Sequence, residues 1–302
     1  LPAVQQTWGG RSPLLGSVQH VLGLALHAQG KLPEAVAVLD AAARSFEVRR
    51  QGMSFDGLER AAWGARASPL PLLAACLAAM GDAQAAWERL EANLGRGLLD
   101  ALGAPGALGA LGALGEPKEV QGHAAQGVYD LRRIRERIGP EAALVAWVDV
   151  EPCSRFQPLA LAKGGHWAFV LRREGKAMCI ELEGSGEGGA FTLEDASAPW
   201  HLRGLLSKPP GGDGRAAAVQ DLVRRVHAQR VLPVEEALSA EGCGPPVTHW
   251  IVLPGGSMAG LPVEVLTDRF AVSYAPSGTL FAWLETERED RHAGMVAAAK
   301  AA

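Results

Sequence analysis

A serine on a glycine-rich turn is the clearest candidate nucleophile in this sequence. Ser257 lies in the run Gly-Gly-Ser-Met-Ala, close to the G-x-S-x-G pattern that presents a serine on a sharp turn after a strand. Asp268 or Asp290 and then His292 follow it, in the chain order of a hydrolase. Pro262, however, interrupts the helix that should come next, and the segment after Ser257 is short for such a fold. A serine hydrolase using Ser257 is therefore an alternative hypothesis.

Cysteines are the other possible nucleophiles. Cys243 could be paired with His227 or His249, but no positively charged partner is fixed near it, so we interpret it as a loop thiol. The four cysteines lie far apart and form no C-x-x-C pair, which argues against a zinc ribbon or a disulfide scaffold and favours a reducing compartment. They are Cys76, Cys153, Cys179 and Cys243.

The histidines and the glycine-rich run of the sequence do not indicate a metal site or a phosphate site. The eight histidines contain no H-E-x-x-H pattern, and His20 and His27 are too far apart on one predicted helix to suggest metal ligation. Residues 211–214 are rich in glycine but lack the lysine and the preceding strand of a phosphate-binding loop. We therefore expect no cofactor-binding residue and no metal ligand.

Composition narrows the class of protein. The chain has 302 residues, of which 48% are hydrophobic, and its net charge of -4 does not suit binding to nucleic acid through bulk charge. No window approaches the roughly 18 apolar residues of a membrane-spanning helix, and we find no signal peptide. We expect a cytoplasmic protein that binds neither nucleic acid nor membrane. The first residue is not Met, which suggests a processed or partial chain.

The first hundred residues predict two helical hairpins. Apolar stripes at helical spacing flank Gly30, and a weaker copy flanks Gly81. The alternation of small and large residues is similar to tetratricopeptide (TPR) repeats, which implies a protein or peptide partner bound on the concave face. The turn glycines are 51 positions apart (30 to 81) instead of about 34. We therefore expect an extra helix or an irregular linker over residues 53–68, and further repeats upstream.

A change of composition divides the chain. The Gly/Ala/Pro-rich run over residues 102–115 predicts a linker, so we expect a TPR-like region (1–101), a linker (102–127) and an α/β region (128–302). Strands that alternate with helices predict the α/β layer. The predicted strands are residues 143–150, 156–162, 166–172, 177–183, 247–253 and 270–274. The predicted helices of this region are residues 128–138, 216–228, 231–240 and 277–287.

Four segments resemble the CHAT family, the caspase-like peptidase domains found behind TPR repeats. The third contains Leu-Pro-Val-Glu-Val-Leu and the fourth reads Val-Ser-Tyr-Ala-Pro-Ser, both similar to family motifs. Gly256 stands where the family usually has a residue with a side chain, and Val263 where it often has Phe; both departures are compatible with the fold. The segments are residues 85–100, 128–150, 249–266 and 271–277.

The resemblance implies a cysteine peptidase with a Cys–His dyad. In the family, a His before a Gly and a Cys within Ser-Ala-Cys both follow the Tyr-Ala-Pro-Ser step. The residues after Ser277 contain His292 but no cysteine, and His292 lies in a charged stretch with no preceding strand. We therefore assign no catalytic residue and no cofactor, and we expect the front portion of a CHAT protein, inactive as it stands.

The predicted fold class is α + α/β, with TPR-like hairpins followed by a partial caspase-like domain. The leading hypothesis is a TPR–CHAT protein that acts on protein substrates through a dyad this chain lacks. The alternatives are a non-catalytic TPR scaffold for protein–protein interaction and the hydrolase using Ser257. An unfinished sheet would expose an edge strand, which predicts self-association.

Overall fold

Two helical hairpins form the N-terminal part of the computed structural model. The first pairs α1 (Pro13–Ala28) with α2 (Leu32–Gln51), and the second pairs α3 (Leu70–Ala79) with α4 (Ala83–Gly103). The structure describes residues 13–51, 68–103, 128–150, 165–209, 213–240 and 244–301. Apart from residues 68, 102 and 103, the predicted extra segment (53–68) and the predicted linker (102–127) lie outside these ranges.

The two hairpins close through turns of the same type. Gly30, at φ 71°, allows the N–H of the next residue to bond the Leu26 carbonyl at 3.0 Å. Gly81, at φ 82°, allows the N–H of the residue after it to bond the Leu77 carbonyl, also at 3.0 Å. A left-handed glycine ends a helix in this way because it carries no Cβ. The similarity of the two turns, predicted from their glycines, therefore extends to the hydrogen bonds that the following residues make.

A mixed five-stranded sheet of order β3-β2-β1-β4-β5 forms the centre of the remaining described chain. β1 (Ala142–Asp149) runs parallel to β4 (His249–Leu253), and β4 runs parallel to β5 (Ala271–Tyr274). On the other side of β1, β2 (His166–Arg172) and β3 (Met178–Glu181) are antiparallel. Five predicted strands are confirmed to within a few residues at their ends, and the sixth (156–162) lies outside the described residues.

Within the described ranges, five further α-helices accompany the sheet. They are α5 (Leu131–Arg135), α6 (Leu193–Leu206), α7 (Asp213–Val226), α8 (Leu232–Ser239) and α9 (Gly278–Ala301), with a π-helical turn, His227–Val231, between α7 and α8. α5 is shorter than predicted and α9 is longer. α6 was not predicted; Thr192 starts it with a capping box, and Pro199 lies inside it. Among the described helices, none has the length and apolar content to cross a membrane.

Helices cover both faces of the sheet. On one face, Leu144 of β1 belongs to the same apolar cluster as Leu73 and Trp87 of the second hairpin. On the other, Trp147 belongs to a cluster with Leu202 of α6. All eight residues of β1 are buried, as expected for a strand covered on both sides. The hairpins and the sheet therefore share one hydrophobic core across the predicted boundary.

Candidate functional site

The turn after β4 carries Ser257, the serine singled out from the sequence. It is a 3₁₀ turn, Gly256–Met258, and the Ser257 Oγ is buried with no hydrogen-bond partner among the described residues. Asp268, Asp290 and His292 are all exposed, and in the described structure none of them hydrogen-bonds to Ser257. The structure therefore does not assemble the partners that chain order suggested.

The two described cysteines are poorly placed for nucleophilic chemistry. Burial raises the pKa of Cys76 on α3 and that of Cys179 on β3 to about 12, so neither carries an appreciable thiolate fraction at neutral pH. His249, considered earlier as a partner for a thiol, instead pairs its Nε2 with the Ser273 hydroxyl at 2.8 Å. Cys153 and Cys243 lie outside the described residues.

A buried carboxylate at the end of β1 collects three partners. Asp149 Oδ1 contacts His166 Nδ1 at 2.6 Å and accepts a hydrogen bond from Arg230 Nη1 at 2.8 Å. Asp149 Oδ2 accepts a hydrogen bond from the backbone N–H of Ser257 at 2.6 Å. We call these four residues the Asp149 cluster. They come from β1, β2, the π-helical turn and the turn after β4, so only the folded chain brings them together.

The cluster lies where a sheet of this kind can bind a ligand. Asp149 ends β1 and Ser257 follows the end of β4, and these two strands are parallel neighbours. In open α/β sheets, ligands bind outside the carboxyl ends of parallel strands. His166 stands directly opposite Asp149 in the register of β1 and β2. Arg230 comes from the π-helical turn, a distortion that is frequent at functional sites.

Electrostatics keep Asp149 ionised. Burial alone would raise the pKa of Asp149, but the Arg230 guanidinium and the hydrogen bonds from His166 and from the Ser257 N–H outweigh burial and hold this pKa well below its usual range. The charges of Asp149 and Arg230 balance each other. Because Asp149 is ionised, His166 Nδ1 is the donor of their hydrogen bond.

Four buried polar atoms of the cluster have no hydrogen-bond partner among the described residues. They are His166 Nε2, Arg230 Nε and Nη2, and Ser257 Oγ. Arg230 is 0% exposed and His166 is 4% exposed. The Nε and Nη2 of one guanidinium form the edge that binds a planar oxyanion through two parallel hydrogen bonds. The hydrogen bonds of the cluster are thus complete toward Asp149 and incomplete elsewhere. Leaving buried donors unpaired costs free energy.

Packing fixes the cluster in place. The His166 ring stacks on Phe191, with centroids 3.7 Å apart, and the Trp147 indole N–H donates to the Arg230 carbonyl at 3.0 Å. Gly256 has φ 55°, and a Cβ built there would lie 2.5 Å from Asp149 Oδ2. The absence of a side chain at Gly256, noted as a departure from the CHAT pattern, is therefore required by the position of Asp149.

Sequence reasoning did not single out Asp149, His166 or Arg230 as site residues. The first two lie at the ends of predicted strands, and the available signal was a carboxylate that ends an apolar strand with a histidine that begins the next. Arg230 lies between two predicted helices and carries no pattern of its own. The register that pairs Asp149 with His166 and the π-helical turn that directs Arg230 inward are both tertiary features.

The described residues contain no group of three or more His, Cys, Asp or Glu side chains that could hold a metal ion. Comparisons of the chain with models of known protein families, with curated proteins and with solved structures give no significant match. Any function must therefore be argued from the residues and their geometry.

Proposed function

We propose that this chain joins a peptide-binding helical repeat to the front part of a caspase-like α/β domain of the CHAT kind. The positions of the four CHAT-like segments support this proposal. Residues 85–100 belong to α4, and residues 128–150 contain α5 and β1. Residues 249–266 contain β4 and its following turns, and residues 271–277 contain β5 and end directly before α9. Each segment thus contributes to the sheet or to a helix packed on it.

The segments also contact one another. The Val263 N–H of the third segment donates to the Tyr274 hydroxyl of the fourth at 2.7 Å. Glu91 of the first segment accepts a hydrogen bond from the Gly278 N–H, directly after the fourth, at 2.9 Å. The third and fourth segments therefore meet through a hydrogen bond, and Glu91 ties the first segment to Gly278, 187 positions away, which is the observation that carries the proposal.

A cleft beside the second hairpin gives the proposed peptide a place to bind. It has a volume of about 700 Å³ and lies between the α3–α4 turn, α5 and the turn that joins β2 to β3. Exposed charges of both signs line it, among them Asp82, Arg132, Arg173 and Glu174. Mixed charges at the meeting point of a repeat and a sheet suit a polar peptide better than a polyanion.

Peptide display against the purified chain tests this binding function. We expect peptides to be enriched. We expect Arg173→Glu to weaken the binding of the selected peptide about fivefold or more, the effect of one charged contact. Arg224→Glu is the matched control, because Arg224 is exposed on α7, outside the cleft. Failure to enrich any peptide, or equal loss in the two variants, would refute the assignment.

The peptidase part of the proposal has its own test. The purified chain should not hydrolyse unfolded casein, because the proposed dyad is absent and the pKa values of the two described thiols, Cys76 and Cys179, are raised. Reading the transcript beyond codon 302 should reveal His-Gly and Ser-Ala-Cys codons within about 100 positions, the scale of half a domain. Casein hydrolysis that is lost when one of the four cysteines is replaced would contradict the proposal.

A second candidate function is favoured by the Asp149–His166 pair. Asp149 orients His166 through Nδ1 as the carboxylate of a serine hydrolase does, and it also holds the backbone of Ser257. His166 Nε2 and Ser257 Oγ do not hydrogen-bond each other in the described structure. Labelling of Ser257 by a fluorophosphonate probe, lost in Ser257→Ala and diminished in His166→Gln, would support hydrolysis. Absence of labelling in the folded protein would exclude it.

A further inference from the structure

We propose that the outer face of α9 binds a second copy of this chain, through an antiparallel pair of α9 helices. The outer face consists of Leu284, Glu287, Arg288, Arg291 and Met295. This inference depends on α9 alone, and neither on peptide binding nor on any catalytic activity. It is supported by the apolar side chains exposed at the two ends of the face and by the order of the charges between them.

The outer face lies on the side of α9 that the core does not use. The first half of α9 packs on α4 and α5, and Ala282 is fully buried in the shared core. Leu284 lies about 160° around the helix from Ala282 and is 47% exposed. Met295 follows Leu284 by about three helical turns, so the two side chains share a face. Met295 is 65% exposed, so each end of the outer face presents an apolar side chain to solvent.

The second half of α9 lacks contacts on any side. From Arg288 to Val296, all the side chains that the structure describes are exposed. Most of the stability of a helix in a protein comes from packing of one of its faces, and a short helix in water is marginal on its own. A partner helix along the outer face would supply the packing that this half of α9 does not receive from its own chain.

The order of the charges indicates which partner fits. Glu287 precedes Arg291 by four positions, so an antiparallel copy places Glu287 of each chain opposite Arg291 of the other. The midpoint of this pair is residue 289. The midpoint of Leu284 and Met295 lies between residues 289 and 290, so one two-fold axis also brings these apolar side chains together. A parallel pair would instead place Glu287 opposite Glu287, which is repulsive.

Glu287 and Arg291 are available for contacts between two copies. The ion pairs of α9 join Arg288 to Glu285 and Glu289 to Arg137. Within the described part of the chain, neither Glu287 nor Arg291 forms an ion pair, although they lie one helical turn apart. The outer face therefore has one unpaired acidic and one unpaired basic side chain, and a second copy provides the complement of each.

The contact is short, so the dimer should be weak. From Leu284 to Met295 it extends over about 17 Å of helix. Stable complexes usually bury roughly 1,200–2,000 Å² in total, and a single pair of helices of this length buries less. We therefore expect reversible association with a dissociation constant of roughly 10–100 μM.

Sedimentation equilibrium of the full chain tests the proposal. Between about 10 and 500 μM, a range that brackets this constant, the average mass should rise from that of a monomer toward that of a dimer. Leu284→Lys and Met295→Lys should each weaken association about tenfold or more, because each puts a charge into the apolar contact at both ends. If one of them does not fold, the other decides. Val48→Lys is the control, since Val48 is exposed on α2. A monomer mass over the whole range, or equal weakening in Val48→Lys, would overturn the proposal.

A charge exchange separates this dimer from association elsewhere on the surface. Glu287→Arg alone and Arg291→Glu alone place like charges opposite each other, and each should weaken association about tenfold or more. An equimolar mixture of the two variants restores opposite charges in the mixed dimer and should associate as tightly as the parent. Association that persists in both single variants would place the contact elsewhere, as on the edge of β5. That result, or a mixture that associates no more tightly than its components, would refute the pairing of α9 helices.

Discussion

Glu91 on α4 accepts a hydrogen bond of 2.7 Å from the backbone N–H of Thr279, 188 positions further along the chain. It accepts a second from the Gly278 N–H at 2.9 Å. The carboxylate thus occupies the N-terminus of α9, where backbone N–H groups lack helical partners and the helix dipole favours negative charge. A side chain of the second hairpin therefore anchors the start of the last described helix.

Removing this anchor should destabilise the protein. We expect Glu91→Ala to lower the free energy of unfolding by about 2–3 kcal/mol, because two buried N–H groups lose their acceptor. Glu91→Gln retains one acceptor oxygen and should cost less. Urea unfolding followed by circular dichroism measures both. Glu88→Gln is the control, since Glu88 is exposed on the same helix; an equal loss in Glu88→Gln would contradict the role of Glu91.

The charge pair of the Asp149 cluster should behave as a unit. Arg230→Met leaves a buried carboxylate without its counter-charge, and we expect it to lower the free energy of unfolding by about 3–5 kcal/mol. The double variant Asp149→Asn/Arg230→Met should recover part of this loss. The comparison is an exposed ion pair, in which Arg224 Nη2 lies 3.2 Å from Asp221 Oδ1. Arg224→Met should lower the free energy of unfolding by less than about 1 kcal/mol. Additive losses in the double variant would show that the pair is not coupled.

Asp149 should also make stability depend on pH. Its pKa in the folded protein lies below the ordinary value of 3.8, so below that value the unfolded chain binds more protons than the folded one. The stabilisation by Asp149 is therefore fully present above pH 3.8 and is lost as pH falls through its folded pKa. Urea unfolding between pH 2.5 and pH 6 (~0.5-unit steps) measures this effect. The difference between parent and Asp149→Asn should shrink on acidification, and a constant difference would disprove it.

Gly256 should not tolerate a side chain. Gly256→Ala puts a Cβ 2.5 Å from Asp149 Oδ2 at a positive φ, and we expect a loss of about 2 kcal/mol or more in the free energy of unfolding. Gly204→Ala is the matched control, because Gly204 lies exposed within α6 with open space around it. That change should stabilise the protein by about 0.5–1 kcal/mol. Similar effects of the two substitutions would refute the close contact with Asp149.

Cys76 and Cys179 should react slowly with alkylating reagents. Both thiols have pKa values raised to about 12 by burial, so the reactive thiolate is scarce at pH 8. Peptide mass spectrometry after iodoacetamide treatment should find both residues largely unmodified in the native protein and fully modified in urea. Rapid native alkylation of either thiol would show that it is accessible and ionised.

Local signals were sufficient for the elements that depend on neighbouring residues. Gly30 and Gly81 marked the hairpin turns, and the apolar run that became β4 marked a strand covered on both faces. α6 was missed although Thr192 and Asp195 have the spacing of a capping box. Its large apolar residues do not form one buried stripe, since Leu193 and Trp200 are exposed. The Asp149 cluster was beyond sequence reasoning, because Arg230 reaches Asp149 only after α6, α7 and the sheet have packed together.

The common core of hairpins and sheet has a practical consequence for dissecting the chain. Cutting between the two predicted regions would strip Trp87 and Leu73 from one face of β1 and expose Leu144 to water. Both pieces would lose the part of their interior that they share, so we expect that truncation at the glycine-rich segment would not yield two autonomous modules. A peptide bound in the cleft beside the second hairpin would contact the β2–β3 turn as well, so its binding would act directly on the sheet.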